Sequence, residues 1–114
     1  MRKVINIGGI DVAFKASAST TIKFRNKFGK DMIKEMTKIY AEYNNGSMIA
    51  YSAETLEMFF DLAYIMAKQA NPSITDDPDE WLDEFDVFPI DVVFPQIMEL
   101  WQNSLQTVDV AKKA

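Results

Sequence analysis

The sequence predicts an α+β fold, mostly α, in which an N-terminal β-hairpin packs on a bundle of about four to five helices. Three observations carry this. Ile5, Ile7, Ile10, Val12 and Phe14 alternate with mostly polar residues around Gly8-Gly9, the pattern of two strands joined by a two-residue turn. After Ser17 the apolar period lengthens from two residues to between three and four, and it stays helical to Leu105. Turn residues then divide that helical stretch at Gly29, Asn44-Asn45-Gly46, Asn71-Pro72 and Asp77-Pro78.

Each element follows from local chemistry. Paired glycines permit the positive φ of a type I′ or II′ turn, which places Ile7 opposite Ile10 and Ile5 opposite Val12. Val4 falls off this apolar face. A lone hairpin is marginal in water, so the face must rest on helices or on the strands of another chain. The Ser17–Thr21 cluster ends the strand and supplies helix caps for a short helix bearing Phe24 and Phe28, stopped at Gly29. Met32, Ile33, Met36, Ile39, Tyr40 and Tyr43 form one stripe of an amphipathic helix over 30–43. A further helix opens near Ser52, and from Leu56 to Ala67 only Glu57 and Asp61 are charged, so it should be the central one. Asp77 before Pro78 starts a short acidic helix, with Trp81, Leu82 and Phe85 along one face. Ile90 to Leu105 carries the last stripe, with Pro95 inside it as an expected kink or a sign of a later start. The reading is one globular domain over 1–105, hairpin within 2–16 and helices within 19–105, followed by a flexible tail at 106–114.

Composition narrows function. The 114 residues contain neither histidine nor cysteine, which removes the commonest general base, the commonest metal ligand and all thiolate chemistry. The expectation is therefore a protein that is not an enzyme and needs no cofactor. The longest apolar run, Leu56–Ala67, is far short of the roughly twenty residues of a membrane span, so no membrane partner is expected. Net charge is −5, but residues 1–38 sum to +6 and the remainder to −11. Such a division suggests association through opposite charges.

Two segments are candidate sites. Seven of the eleven residues from Asp76 to Asp86 are acidic, with Trp81 and Phe85 among them and Phe88 just beyond. Calcium loops need oxygen donors at alternating offsets and a turning glycine, neither of which is present, so a solvated helix face is the stronger reading. Aromatic anchors within a polar rim suit a partner surface, here Trp81, Asp83, Glu84, Phe85 and Phe88. The second segment, Lys23, Arg25, Lys27, Lys30, Lys34 and Lys38, could follow a phosphate backbone, but it is also the plain polar face of helices. Gly8-Gly9 lacks the pattern of a phosphate loop.

The runs INIGGIDVAFKAS, TTIKFRNKFGKDMIKEM, LEMFFDLAYIMAKQANPSI and DEWLDEFDVFPIDVVFPQIMELW together resemble the tail assembly chaperones of long-tailed bacteriophages, in particular those of phages and prophages of Gram-positive bacteria. The likeness spans roughly residues 5–105. It implies a non-enzymatic assembly factor that binds the long helical tape measure protein and keeps it soluble. The client would then be handed to polymerising tail tube protein. The implied setting is the cytoplasm of an infected or lysogenic host, with absence from the finished virion. The family often makes a longer product of itself by ribosomal frameshifting, a further expected partner. It supplies no catalytic residues. Two other classes remain open on the residues alone. One is a nucleic-acid-related regulator, using the basic 23–38 face or an acidic DNA-mimicking face; the other is a carboxylate-dependent enzyme, marked by a pocket of convergent Asp/Glu. Self-association is expected as a head-to-tail ring or spiral through Ile5, Ile7, Ile10, Val12, Lys30 and Lys34.

Overall fold

A computed structural model of the chain describes residues 1–35 and 53–105. Strands β1 (Arg2–Ile7) and β2 (Ile10–Lys15) form an antiparallel pair, with Ile5 opposite Val12 and Ile7 opposite Ile10. Helix α1 covers Thr20–Phe28, α2 Ala53–Ala70, α3 Pro78–Leu82 and α4 Ile90–Leu105. Residues 32–35 form one further helical turn. The expected stretch beyond it to Tyr43, the Asn44-Asn45-Gly46 stop, the Ser52 cap and the 106–114 tail lie outside the described residues. The molecule is α+β and mostly α.

Both turn glycines have positive φ, +57° at Gly8 and +95° at Gly9, as a type I′ turn requires. The ladder continues past the strand end. The Met1 ammonium donates to the Ala16 carbonyl at 2.8 Å, and the Ala16 amide returns a bond to Met1 at 2.9 Å.

The hairpin's apolar face is taken up within its own chain. Ile5, Ile7 and Phe14 are sealed in the core and Val12 nearly so, with β2 resting on α2 and β1 on α4. This corrects the expectation that Ile5, Ile7 and Val12 face a neighbouring subunit: burying them against α2 and α4 removes the same apolar surface from water. Ile10, the remaining apolar residue expected at that contact, is exposed.

Helix α2 is the central element. Met58, Phe59, Leu62, Ala63, Tyr64, Ile65, Met66 and Ala67 are all buried, and the helix packs on β2, α1 and α3. Its C-terminal half is stitched to the chain around it. Thr20, fully buried, donates through Oγ1 to Gln69 Oε1 at 2.9 Å and accepts from the Ser17 amide at 2.9 Å. Gln69 Nε2 in turn donates to Ser17 Oγ at 2.6 Å, so the buried Thr20 hydroxyl sits in a closed network with its polar neighbours. Helix α1 ends at Gly29, whose φ of +69° closes the last turn onto the Arg25 carbonyl at 2.8 Å. Helix α4 starts at Ile90 and runs unbroken through Pro95. Pro95 contributes no amide to the helix, and one residue further on the Gln96 side-chain amide donates to the Val92 carbonyl at 2.9 Å.

Candidate functional site

The acidic segment is built outward from its aromatic residues. Asp77 caps α3, its carboxylate accepting from the Asp79 amide at 2.9 Å, with Pro78 in the first helical turn. Thr75 Oγ1 braces the same turn, accepting from the Asp77 amide at 3.2 Å and donating to Glu80 at 3.1 Å. Lys68 holds the approach to it: its ammonium donates to the Pro72 and Ile74 carbonyls and pairs with the Asp76 carboxylate at 3.0 Å. The hydrogen bond and charge of Lys68 hold the Asp76 carboxyl below its ordinary value. The Tyr64 hydroxyl donates to the Thr75 carbonyl at 2.6 Å and Lys27 to that of Asp76 at 2.6 Å. Burial, with Asp76 and Asp77 nearby, raises the pKa of that hydroxyl.

Trp81 is 2 % exposed, edge-on to Tyr64, Phe85 and Phe88 at 5.9, 5.1 and 6.4 Å between ring centroids. Phe88 continues the cluster to Phe60 at 5.2 Å and Phe59 at 6.1 Å. Trp81 is therefore an internal anchor of α3 on α2 and cannot meet a partner in the folded state, a correction to the sequence reading. Its ring is sealed because that docking buries more apolar area than any other side chain of the segment offers. Phe85 and Phe88 are half-buried against the core, whereas Asp83, Glu84, Asp86 and Val87 face out. The six expected self-association residues separate as well: three lie in the core, Ile10 is exposed at the turn, Lys34 is exposed, and Lys30 pairs with Glu57 at 3.4 Å.

Beside this segment a shallow groove of about 340 Å³ opens between α2 and α3. Ala53, Leu56, Phe60 and Leu82 give it apolar walls, and Glu57, Asp61 and Asp79 contribute carboxylates. Asp61 is the chemically distinctive member. Burial, reinforced by Glu57 and Asp79 and opposed by Lys30, pushes its carboxyl up to about 6. The sequence reading passed over Glu57 and Asp61 as interruptions of an apolar run. Their spacing of four, in a helix with almost no other polar residue there, was the available signal, because it sets two like charges on one face. Among the described residues, no three carboxylates converge closely enough to hold a metal ion, and no helix is long and apolar enough to cross a membrane.

A prediction follows for Asp61. A carboxyl whose folded pKa lies above its unfolded value of 3.8 binds its proton more tightly when folded, so its contribution favours the fold below about pH 4 and is lost as pH rises through 6. Asp61→Asn should therefore raise stability at pH 7.5 by on the order of 1 kcal/mol after discounting for solvent screening, about 4 °C in Tm. At pH 4 the gain should vanish. Thermal melts of both proteins across pH 4–8 check this, and an equal shift at every pH would refute the Asp61 titration.

No family model matches the chain, and no curated protein or solved structure matches it either.

Proposed function

We propose that this chain is a non-enzymatic assembly chaperone that holds a long helical client soluble until the client is built into a larger structure. The resemblance to phage tail assembly chaperones makes that client a tape measure protein and its acceptor the tail tube protein. The chaperone would act in the cytoplasm of an infected or lysogenic bacterium and be left out of the finished particle.

The observation that supports it best is the α2–α3 groove beside the exposed carboxylates of the acidic segment. Apolar walls made by Leu56, Phe60 and Leu82 can shield an apolar stripe of a client helix, and Glu57, Asp61 and Asp79 suit basic residues flanking that stripe. Asp83, Glu84 and Asp86 extend the negative surface and keep the complex soluble.

Co-expression with the tape measure protein tests this. The wild-type chain should keep the client in the soluble fraction, and the neutralising triple change Glu57→Gln, Asp61→Asn, Asp79→Asn should weaken that while leaving the chaperone folded. Unchanged client solubility would remove the groove from the mechanism. A second reading, a carboxylate-dependent enzyme, is favoured by the single fact that Asp61 has a raised pKa within a groove. Hydrolytic turnover abolished by Asp61→Asn would select it over the chaperone.

A further inference from the structure

The hairpin leaves two backbone edges, and one of them is self-complementary. In an antiparallel pair, opposed residues alternate between those that exchange both backbone hydrogen bonds and those that exchange none. Met1 and Ala16 exchange both, at 2.8 and 2.9 Å. Counting along the register from there, Lys3–Phe14, Ile5–Val12 and Ile7–Ile10 are the bonded pairs. Arg2–Lys15, Val4–Ala13 and Asn6–Asp11 are the unbonded pairs, so their amides and carbonyls point away from the ribbon. Among the described residues the sheet has two strands, and no further strand covers either edge.

Along the β2 edge the outward residues read Asp11, Ala13, Lys15. Reversed against itself about Ala13, this sequence sets Asp11 opposite Lys15 on both sides of the centre. Ala13 is small enough to lie on a two-fold axis. On the opposite face Val12 and Phe14 are already buried in the core of their own chain, so the pairing is carried by the strand backbones and the Asp11–Lys15 charges. The β1 edge has no such symmetry: reversed about Val4 it sets Arg2 against Asn6.

We propose that β2 is a homodimerisation strand, pairing antiparallel with β2 of a second copy about Ala13 to give a four-stranded sheet of order β1-β2-β2-β1. Ala13 exchanges two backbone bonds with its own counterpart, and each Asp11–Lys15 pair exchanges two more. The contact is isologous, and it closes at two copies. It replaces the head-to-tail arrangement anticipated from the divided charge, part of which is spent inside the chain on Lys30–Glu57. An interface of one strand edge is small, so the dimer is weak, exchanges rapidly and loosens with salt.

Sedimentation velocity across a concentration series tests it, with circular dichroism to verify folding. The wild-type chain should pass from monomer to dimer and stop there. Ala13→Pro removes an amide that the ribbon itself does not use and should abolish the dimer with little change in Tm. Lys15→Glu sets like charges opposite each other twice and should weaken association by about tenfold or more. The swapped double variant Asp11→Lys, Lys15→Asp should restore it. Val4→Pro, on the other edge, should leave it unchanged. A monomer at every concentration up to about 1 mM, growth beyond two copies, or a dimer that survives both Ala13→Pro and Lys15→Glu overturns the proposal.

Discussion

Trp81→Ala should be among the most damaging single substitutions in this chain. The ring is nearly sealed from water and touches Tyr64, Phe85 and Phe88 edge-on. Its removal forfeits the transfer free energy of a whole indole, and the five-residue helix α3 is too short to hold its shape and collapse onto the hole. The expected cost is about 3–5 kcal/mol, enough to lower Tm by about 15 °C or more. Phe88→Ala, at a half-buried ring, should cost less. Reversing Asp83 and Glu84, both exposed, should move stability by no more than about 0.5 kcal/mol. Denaturant melts of the three variants place them in this order. If Trp81→Ala matched the surface reversals, the indole would not be what fastens α3 to α2.

Gly8→Ala should rank close behind, for a different reason. A β-carbon at Gly8 would lie 2.8 Å from the Val87 carbonyl oxygen, a backbone atom that cannot swing aside as a side chain would. To this is added the cost of holding an L-residue at positive φ, about 1 kcal/mol or more. Together these should destabilise by about 3 kcal/mol, or shift the 83–89 stretch away from the turn. Gly9 provides the comparison. Its φ is also positive, but a β-carbon there meets nothing within 4 Å, so Gly9→Ala carries the backbone strain alone. Equal Tm losses for the two alanine variants would show that the turn does not press on Val87.

The extent to which this structure was legible in the sequence varies with how local the deciding physics is. The hairpin register depends on two adjacent glycines and a period-two pattern, and Ile5 does face Val12 as expected. The cap at Asp77-Pro78 and the stop at Gly29 are equally local and equally readable. What covers an apolar face is not local. The same alternation that set Ile5, Ile7 and Val12 on one side gave no indication whether α2 and α4 or another chain would lie against them. Trp81 posed the same ambiguity, because an aromatic residue amid carboxylates suits an interface and a docking anchor alike. The groove was the least legible feature. Asp79 and Leu82 come from α3 and Glu57, Asp61 and Phe60 from α2, and only the packing of one helix on the other sets them side by side.

The two tryptophans of this chain are both shielded from water, Trp81 at 2 % and Trp101 at 5 % exposure. The Trp101 indole nitrogen is buried without an acceptor among the described residues. Neither excited state can therefore relax against solvent dipoles, and the emission of the native protein should lie well to the blue of free tryptophan. No indole lies on the surface to be perturbed by a ligand that merely docks. A partner that binds the folded chain would leave the emission maximum in place, whereas one that pries α3 from α2 would shift it red. The protein thus carries an optical gauge of its own, able to separate recognition of an intact surface from recognition that begins by opening it.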